Sequence, residues 1–247
     1  MKIRNGFLIT CTLIFLVFSG VSYAETIIVG CDQSFKPFVF KGNDGILSGF
    51  DIDLWEAIAK ELNLKYELKP MNFDALIPAL VERKIDVALA GMTINSKRER
   101  LIDFSYPYFD SGTGLMVRAN DTKISDIGDL VDKVVASKHG TMSSDFAKNI
   151  QTKKVVIYLT INEAYAALNN KKVDAVLFDE PNLLYHTNNE GKGKVKIVGR
   201  VHQKQAYGIA FQSGSALREK VSVTLLKLIE DGNYYIIFRK WFGYVPQ

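Results

Sequence analysis

A charged segment directly follows a short apolar run in the sequence LAGMTINSKRER. The apolar run, residues 85–90, ends at Gly91, and Thr93 and Arg98 come next. A guanidinium can hold a carboxylate through two parallel hydrogen bonds, and a hydroxyl and free backbone N–H groups at a helix start also favour an anion. The spacing therefore predicts an anion site at the end of a buried strand. The alternative is that Arg98, within the charged run 97–100, lies on a solvated helix face.

A carboxylate ends a second apolar run, in the sequence DAVLFDE. Asp179 would favour an ammonium group, although it could instead cap the helix predicted to begin at Pro181. If the two strand ends face each other, Arg98 and Asp179 offer one clamp for an anion and one for a cation. A free α-amino acid carries both charges on one carbon.

Two more charged residues are predicted to lie at strand ends. Asp32 and Lys138 together offer an acceptor and a donor, which matches the C=O and N–H₂ of a carboxamide. Phe35 and Phe73 could supply apolar walls for a short aliphatic stem. The alternatives are a turn role for Asp32 and core positions for both phenylalanines.

These residues are positioned by a regular alternation of predicted strands and helices, which is typical of parallel sheets in an α/β fold. Residues 51–64 have helical apolar spacing, with Asp51 or Asp53 as the cap. The predicted strands are 26–30, 65–71, 85–92, 113–119, 133–138, 154–159, 173–180, 194–199 and 206–211. The other predicted helices are 73–84, one beginning at 141, 162–172, one beginning at 181, 217–232 and 234–243.

An internal similarity relates two parts of the chain. Residues 79–91 align without gaps on residues 167–179, at an offset of 88. The alignment indicates two similar lobes, each with its own parallel sheet, although chance similarity of two helix–turn–strand units is an alternative. Ligands of open parallel sheets lie beyond the carboxyl ends of the strands, so two facing lobes would form one cleft.

The chain resembles the periplasmic polar-amino-acid-binding proteins of ABC importers, and within them the glutamine-binding branch. The motifs that carry the resemblance are GFDIDLWEAIAKELNLKYELKPMNF, IPALVERKIDVALAGMTI, RLIDFSYPYFDSG, DAVLFDEPNLLY, YGIAF and KWFG. The resemblance implies the two-lobed type II periplasmic-binding-protein fold, with a mainly parallel sheet flanked by helices in each lobe and a ligand cleft between them. Residues 25–109 plus 207–247 would form lobe 1, and residues 110–206 lobe 2.

The resemblance also implies roles for individual residues. Arg98, Thr93 and the backbone N–H of Met142 would bind the α-carboxylate, while Gly91, through its carbonyl, Thr93 and Asp179 would bind the α-ammonium. The full implied ligand-binding set is Asp32, Phe35, Phe73, Ala90, Gly91, Thr93, Arg98, Lys138, Thr141, Met142, Phe178 and Asp179.

Two positions depart from the glutamine-binding pattern. Phe178 stands where that pattern has histidine, which removes a polar group from the side-chain pocket. Met142 stands where the pattern has glycine, and its side chain would either point away or narrow the pocket. We therefore expect a binding protein for a polar amino acid, with glutamine preferred and weaker discrimination. Arginine, histidine and glutamate are the alternative ligands.

The first 24 residues are predicted to be a secretory signal peptide. Lys2 and Arg4 precede an apolar stretch at 6–18, and the sequence SYA fits a small-x-small cleavage site. The apolar stretch is shorter than the roughly 20 residues of a spanning helix. We expect export to the periplasm and cleavage after Ala24, with a lipid anchor through Cys11 as the alternative.

The charge and the cysteine and histidine content limit which classes of molecule the protein is expected to bind. Without the signal peptide the formal charge falls from +4 to +2, and no basic stripe of the kind that binds nucleic acid is present. Cys31 is then alone, so no internal disulfide is expected, and the scattered histidines indicate no metal site or cofactor. The expected partners are a free amino acid and a membrane ABC permease, with the protein itself a monomer.

An enzyme is the competing function. Dehydratases of cyclic amino acids share this fold, and such a reaction needs a general acid in the cleft. Asp32, Lys138 and His139 are the candidates near the predicted cleft. A binding protein without catalysis is the main expectation.

Overall fold

The computed structural model describes residues 26–42 and 44–245. The predicted signal peptide, its cleavage site after Ala24 and Cys11 lie outside these residues. The strands are β1 (Ile27–Cys31), β2 (Ser34–Phe35), β3 (Val39–Lys41), β4 (Leu47–Ser48), β5 (Tyr66–Pro70), β6 (Val87–Thr93), β7 (Ile102–Phe104), β8 (Phe109–Arg118), β9 (Val134–Lys138), β10 (Lys154–Tyr158), β11 (Ala175–Asp179) and β12 (Val195–Gln212).

Helices alternate with most of these strands. They are α1 (Phe50–Glu61), α2 (Phe73–Val81), α3 (Ser96–Glu99), α4 (Met142–Asn149), α5 (Ile161–Asn169), α6 (Glu180–Asn188), α7 (Ala216–Glu230), α8 (Asn233–Phe242) and a 3₁₀ turn at Ile127–Leu130. Among the described residues, no helix combines the length and the apolar character needed to cross a membrane.

Within the described part of the chain, nine strands form one hydrogen-bonded sheet with two parallel blocks. The first block is β5-β1-β6 and the second block is β10-β9-β11, and the antiparallel strands β8 and β12 lie between them. The prediction of separate strands at 194–199 and 206–211 is wrong, because β12 is continuous. Between the predicted strands, β12 is polar and pairs with β8 through two register shifts, so its sequence shows no regular alternation.

Strand β6 of the first parallel block is buried on both faces. In β6, Val87 and Leu89 pack into the cluster that contains Trp55 of α1, while Ala88 and Ala90 pack into a second cluster with α2. Continuous burial of this kind is typical of parallel strands covered by helices on both sides. The α/β fold predicted from the sequence is confirmed.

The internal similarity corresponds to the same local structure in both blocks. Arg83 and Lys171, which are 88 residues apart, both take a left-handed backbone conformation, with φ of 55° and 57°. Each turn then leads to an aspartate that binds the first strand of its block. Asp86 Oδ2 accepts from the N–H of Ile28 at 2.8 Å, and Asp174 Oδ2 accepts from the N–H of Val134 at 2.9 Å.

The start of α1 differs from the prediction that an aspartate caps it. The N-cap is Gly49, with φ of 142°, and a Cβ there would lie 2.0 Å from the Phe38 carbonyl oxygen. Asp53 instead accepts from the indole N–H of Trp241 at 2.6 Å, and Asp51 is buried. Close approach of two backbone segments therefore selects glycine and leaves both carboxylates for tertiary contacts.

We expect Asp86→Ala and Asp174→Ala to destabilise the protein by similar amounts. Each substitution leaves a strand N–H without its acceptor, at a cost of about 1–3 kcal/mol. Urea unfolding measures the effect, and Asp132→Ala at an exposed site is the control. A loss in one block only would contradict the structural equivalence of the two aspartates.

Candidate functional site

A small cavity lies where the carboxyl ends of β6, β9 and β11 face each other. Eleven of the twelve residues predicted for the site line it. They are Phe35, Phe73, Ala90, Gly91, Thr93, Arg98, Lys138, Thr141, Met142, Phe178 and Asp179. The twelfth, Asp32, is paired with Lys138.

Arg98 is buried, whereas its neighbours Lys97, Glu99 and Arg100 are exposed. Its Nη1 donates to the Thr93 carbonyl at 2.6 Å and its Nη2 donates to the Gly140 carbonyl at 3.1 Å, so it connects α3 to the loop after β9. Burial lowers the pKa of Arg98, and the charge of Asp179 opposes that shift. A guanidinium has five N–H donors, so donors remain for an anion. The solvated-face alternative for Arg98 is wrong.

Asp179 provides a buried carboxylate on the opposite side. Its Oδ1 accepts from the Ser143 hydroxyl at 2.8 Å and its Oδ2 accepts from the Tyr207 hydroxyl at 2.6 Å. Burial raises the pKa of Asp179, while these two hydrogen bonds act against the rise. Asp179 occupies the N-cap position of α6, as the helix-cap alternative expected, but its side chain makes no cap hydrogen bond to the helix. Its remaining lone pairs can accept from a cation.

Asp32 and Lys138 form a buried ion pair. Their side chains are 4% and 2% exposed, so neither charge is left to water. Lys138 Nζ also lies 5.3 Å from the Phe73 ring centroid and 5.8 Å from that of Phe35. Asp32 Oδ1 accepts from the hydroxyl of Ser34 at 2.8 Å, which confirms the turn role as well. The pair closes one end of the cavity with a donor and an acceptor side by side.

The two departures from the glutamine-binding pattern have clear structural effects. Phe178 is buried and packs edge-on against Phe35, with ring centroids 5.8 Å apart. Met142 lines the cavity, and its Sδ lies 3.2 Å from the side-chain nitrogen of Asn95, the N-cap of α3. Its side chain therefore contacts the start of α3 and forms part of the cavity wall.

His139 lies outside the cavity. Its Nδ1 is 3.2 Å from Asp74 Oδ2, and its side chain is 53% exposed. The other candidate acids, Asp32 and Lys138, hold each other in the ion pair. Of the three candidate general acids, all within the described residues, none is both inside the cavity and free of an ion-pair partner.

A family model for bacterial extracellular solute-binding proteins, family 3, matches residues 27–244. The chain belongs to this family. The L-cystine-binding protein of Escherichia coli strain K12 is 30% identical over 88% of this chain and 83% of the relative. The glutamine-binding protein of Bacillus subtilis strain 168 is 32% identical over 88% and 81%.

Solved structures agree with this assignment. An ancestral arginine-binding protein bound to arginine is 41% identical, with a TM-score of 0.83 over 88% of this chain and 98% of that one. A second structure, of an ancestral arginine-binding protein bound to glutamine, is 40% identical, with a TM-score of 0.82 over 89% of this chain and 98% of that one. The resemblance to solute-binding proteins of ABC importers is confirmed.

In this solute-binding protein, Gly91 depends on a buried carboxylate that sequence reasoning did not place in the site. Gly91 has φ of 51°, and a Cβ there would lie 2.2 Å from Phe35 Cε1. Its N–H donates to Asp51 Oδ2 at 2.9 Å, and Tyr108 donates to Asp51 Oδ1 at 2.8 Å. Burial raises the pKa of Asp51 to about 6. Asp51 therefore fixes the strand end from which the Gly91 carbonyl is presented.

Four polar residues at or behind the site were missed: Asp51, Ser143, Gln205 and Tyr207. Asp51 and Tyr207 lie inside motifs that carry the family resemblance, and Ser143 lies in the helix predicted to begin at residue 141. Each contacts a predicted residue that is distant in sequence. Only the tertiary structure brings these partners together.

We expect Asp51→Asn to remove a pH dependence of stability. Between the ordinary value of 3.8 and the folded pKa of about 6, the folded wild type binds more protons than the unfolded chain. Its stability therefore falls as pH rises through this range, by about 3 kcal/mol relative to the variant. Urea unfolding between pH 4 and pH 7 measures this difference. Parallel curves for wild type and variant would show that Asp51 does not titrate there, and Asp132→Asn is the exposed control.

Proposed function

We propose that this protein binds a free α-amino acid in the cavity and delivers it to a membrane ABC permease. The observation that carries the proposal is that buried Arg98 and buried Asp179 line one small cavity. A cation and an anion that line the same cavity suit a zwitterion. Its carboxylate would compensate Arg98, and its ammonium group would compensate Asp179. The relatives named for cystine, glutamine and arginine support a ligand of this class.

In the proposed complex, the α-carboxylate lies against Arg98, the N–H of Thr93 and the N–H of Met142. Met142 is the first residue of α4, where backbone N–H groups are free. The α-ammonium lies against Asp179, the Gly91 carbonyl and the Thr93 hydroxyl. Phe35, Phe73, Ala90, Thr141 and Phe178 line the space for the side chain.

Glutamine is the preferred ligand in this proposal. The Asp32–Lys138 pair offers a donor and an acceptor to a carboxamide, and Lys138 would repel a cationic side chain such as that of arginine. Asp32 would likewise oppose the side-chain carboxylate of glutamate. Because Phe178 offers no polar group, discrimination among polar side chains would be modest.

The proposed lobes are residues 25–109 plus 207–247 and residues 110–206. Strands β8 and β12 connect them, since β8 pairs with β11 while β12 continues to β6 and β7. Contacts such as Arg98 to the Gly140 carbonyl would then cross the cleft. A ligand that touches both lobes favours the closed form by its extra contacts there. We propose an exported, periplasmic monomer with no catalytic step.

We expect Arg98→Ala to raise the Kd for L-glutamine at least about a hundredfold, because two charge-assisted hydrogen bonds to the carboxylate are lost. Isothermal calorimetry measures the effect. Arg100→Ala, at an exposed position two residues later, is the matched control and should bind as wild type does. Near-normal affinity of Arg98→Ala would refute the proposed complex.

A thermal-shift panel of the twenty amino acids tests the ligand. At a hundredfold excess over Kd, the preferred ligand should raise Tm by about 5–10 °C. We expect the largest shift with glutamine and smaller shifts with arginine, histidine and glutamate. A large shift with arginine or histidine and none with glutamine would overturn the glutamine assignment. No shift with any amino acid would overturn the proposed function.

A further inference from the structure

A chain of side-chain hydrogen bonds joins the two sides of the cavity through both connecting strands. The Thr93 hydroxyl lies 2.6 Å from Gln205 Oε1, and Gln205 Nε2 lies 3.2 Å from the Thr113 hydroxyl. The hydroxyl oxygens of Thr113 and Ser143 are 3.1 Å apart, and the Ser143 hydroxyl donates to Asp179 Oδ1 at 2.8 Å. Gln205 is on β12 and Thr113 is on β8, so the chain runs from one ligand-facing residue to the other.

The charge of Asp179, the last residue in this chain, determines which group donates in each hydrogen bond. An ionised carboxylate can only accept, so Ser143 gives its hydroxyl proton to Asp179. Thr113 must then donate to Ser143, and its own oxygen accepts from Gln205. The amide nitrogen of Gln205 is thereby directed to Thr113, and its carbonyl faces Thr93. Thr93 consequently gives its proton to Gln205.

The hydroxyl of Thr93 thus turns only lone pairs towards the cavity. It can accept from an ammonium but cannot donate to a carboxylate. The expectation that this hydroxyl contacts both charged groups of the ligand therefore reduces to a contact with the ammonium. Thr93 can then bind the carboxylate of the ligand only through its backbone N–H.

We infer that Gln205 is a positioning residue for ligand recognition, which fixes the Thr93 hydroxyl as an acceptor for the ligand's ammonium group. The inference rests on the proposed binding of an amino acid. Gln205 is only partly buried and lies behind Thr93, outside the lining of the cavity. Thr93 is the one residue of the cavity lining that Gln205 contacts directly among the described hydrogen bonds, so we expect its effect on affinity to depend on Thr93.

A second consequence concerns the coupling of the two sides. Asp179 and Thr93 would both accept hydrogen bonds from the same ammonium group. Through the hydrogen-bond chain, the orientation of the Thr93 hydroxyl depends on the negative charge of Asp179. In a ligand that has a hydroxyl in place of the ammonium, one proton would have to serve several acceptors. The site is therefore selective for a group with several donors at this position.

The test is a double-mutant cycle with Gln205→Leu and Thr93→Val, using calorimetry with L-glutamine as the probe and L-arginine if glutamine gives no heat. Gln205→Leu alone should raise Kd by about tenfold, the value of one hydrogen bond. In the Thr93→Val background the same change should raise Kd by less than about twofold, because the two residues act as one unit.

Controls separate this role from a structural one. Gln203→Leu, at an exposed position of the same strand, should leave Kd unchanged. Thermal unfolding checks that each variant is folded, and Gln205→Met replaces Gln205→Leu if the latter is not. An equal rise of Kd in both backgrounds, or no rise in the wild-type background, overturns the inference. A wild-type protein that binds none of the twenty amino acids overturns the proposed function and the inference with it.

Discussion

Four charged side chains are buried around one small cavity in the described residues, and the arrangement of the polar groups there depends on giving each of them hydrogen-bonding partners. Burial of a charge is costly unless partners compensate it. Asp32 and Lys138 compensate each other. Arg98 has two backbone carbonyls and Asp179 has two hydroxyls, but neither has a direct counter-ion in the described structure. In the proposed complex, the two charges of the bound amino acid would supply these counter-ions.

The fold places these charges by using one supersecondary unit twice. The helix–turn–strand units that end at Gly91 and at Asp179 have the same left-handed turn and the same strand-binding aspartate. The two units diverge at the strand end, where one presents a backbone carbonyl and the other a carboxylate. Similarly, Asp32 lies directly after β1 and Lys138 is the last residue of β9, the first strands of the two blocks, and the two residues carry opposite charges. Facing positions of similar units have therefore become complementary.

Most of the fold and much of the cavity could be predicted from the sequence, because their signals are local. Apolar runs and helical spacing identified the parallel strands, and strand ends identified Thr93, Arg98 and Asp179. The missed residues depend on partners far along the chain: 40 residues separate Asp51 from Gly91, and 112 separate Thr93 from Gln205. Strands β2 to β4 are only two or three residues long, too short for a periodic pattern.

The unbroken β12 has a consequence for how such a protein can change its ligand over time. If the lobes move by bending of β8 and β12, opening separates side chains across the cleft and leaves the backbone pairing of each block intact. The register shifts near His202 and Gln205 provide a place where the strand can flex. The free-energy difference between the two forms would then be determined by a few side chains at the cleft. Single substitutions there could redirect the protein to another solute without disturbing folding, which makes the scaffold readily evolvable.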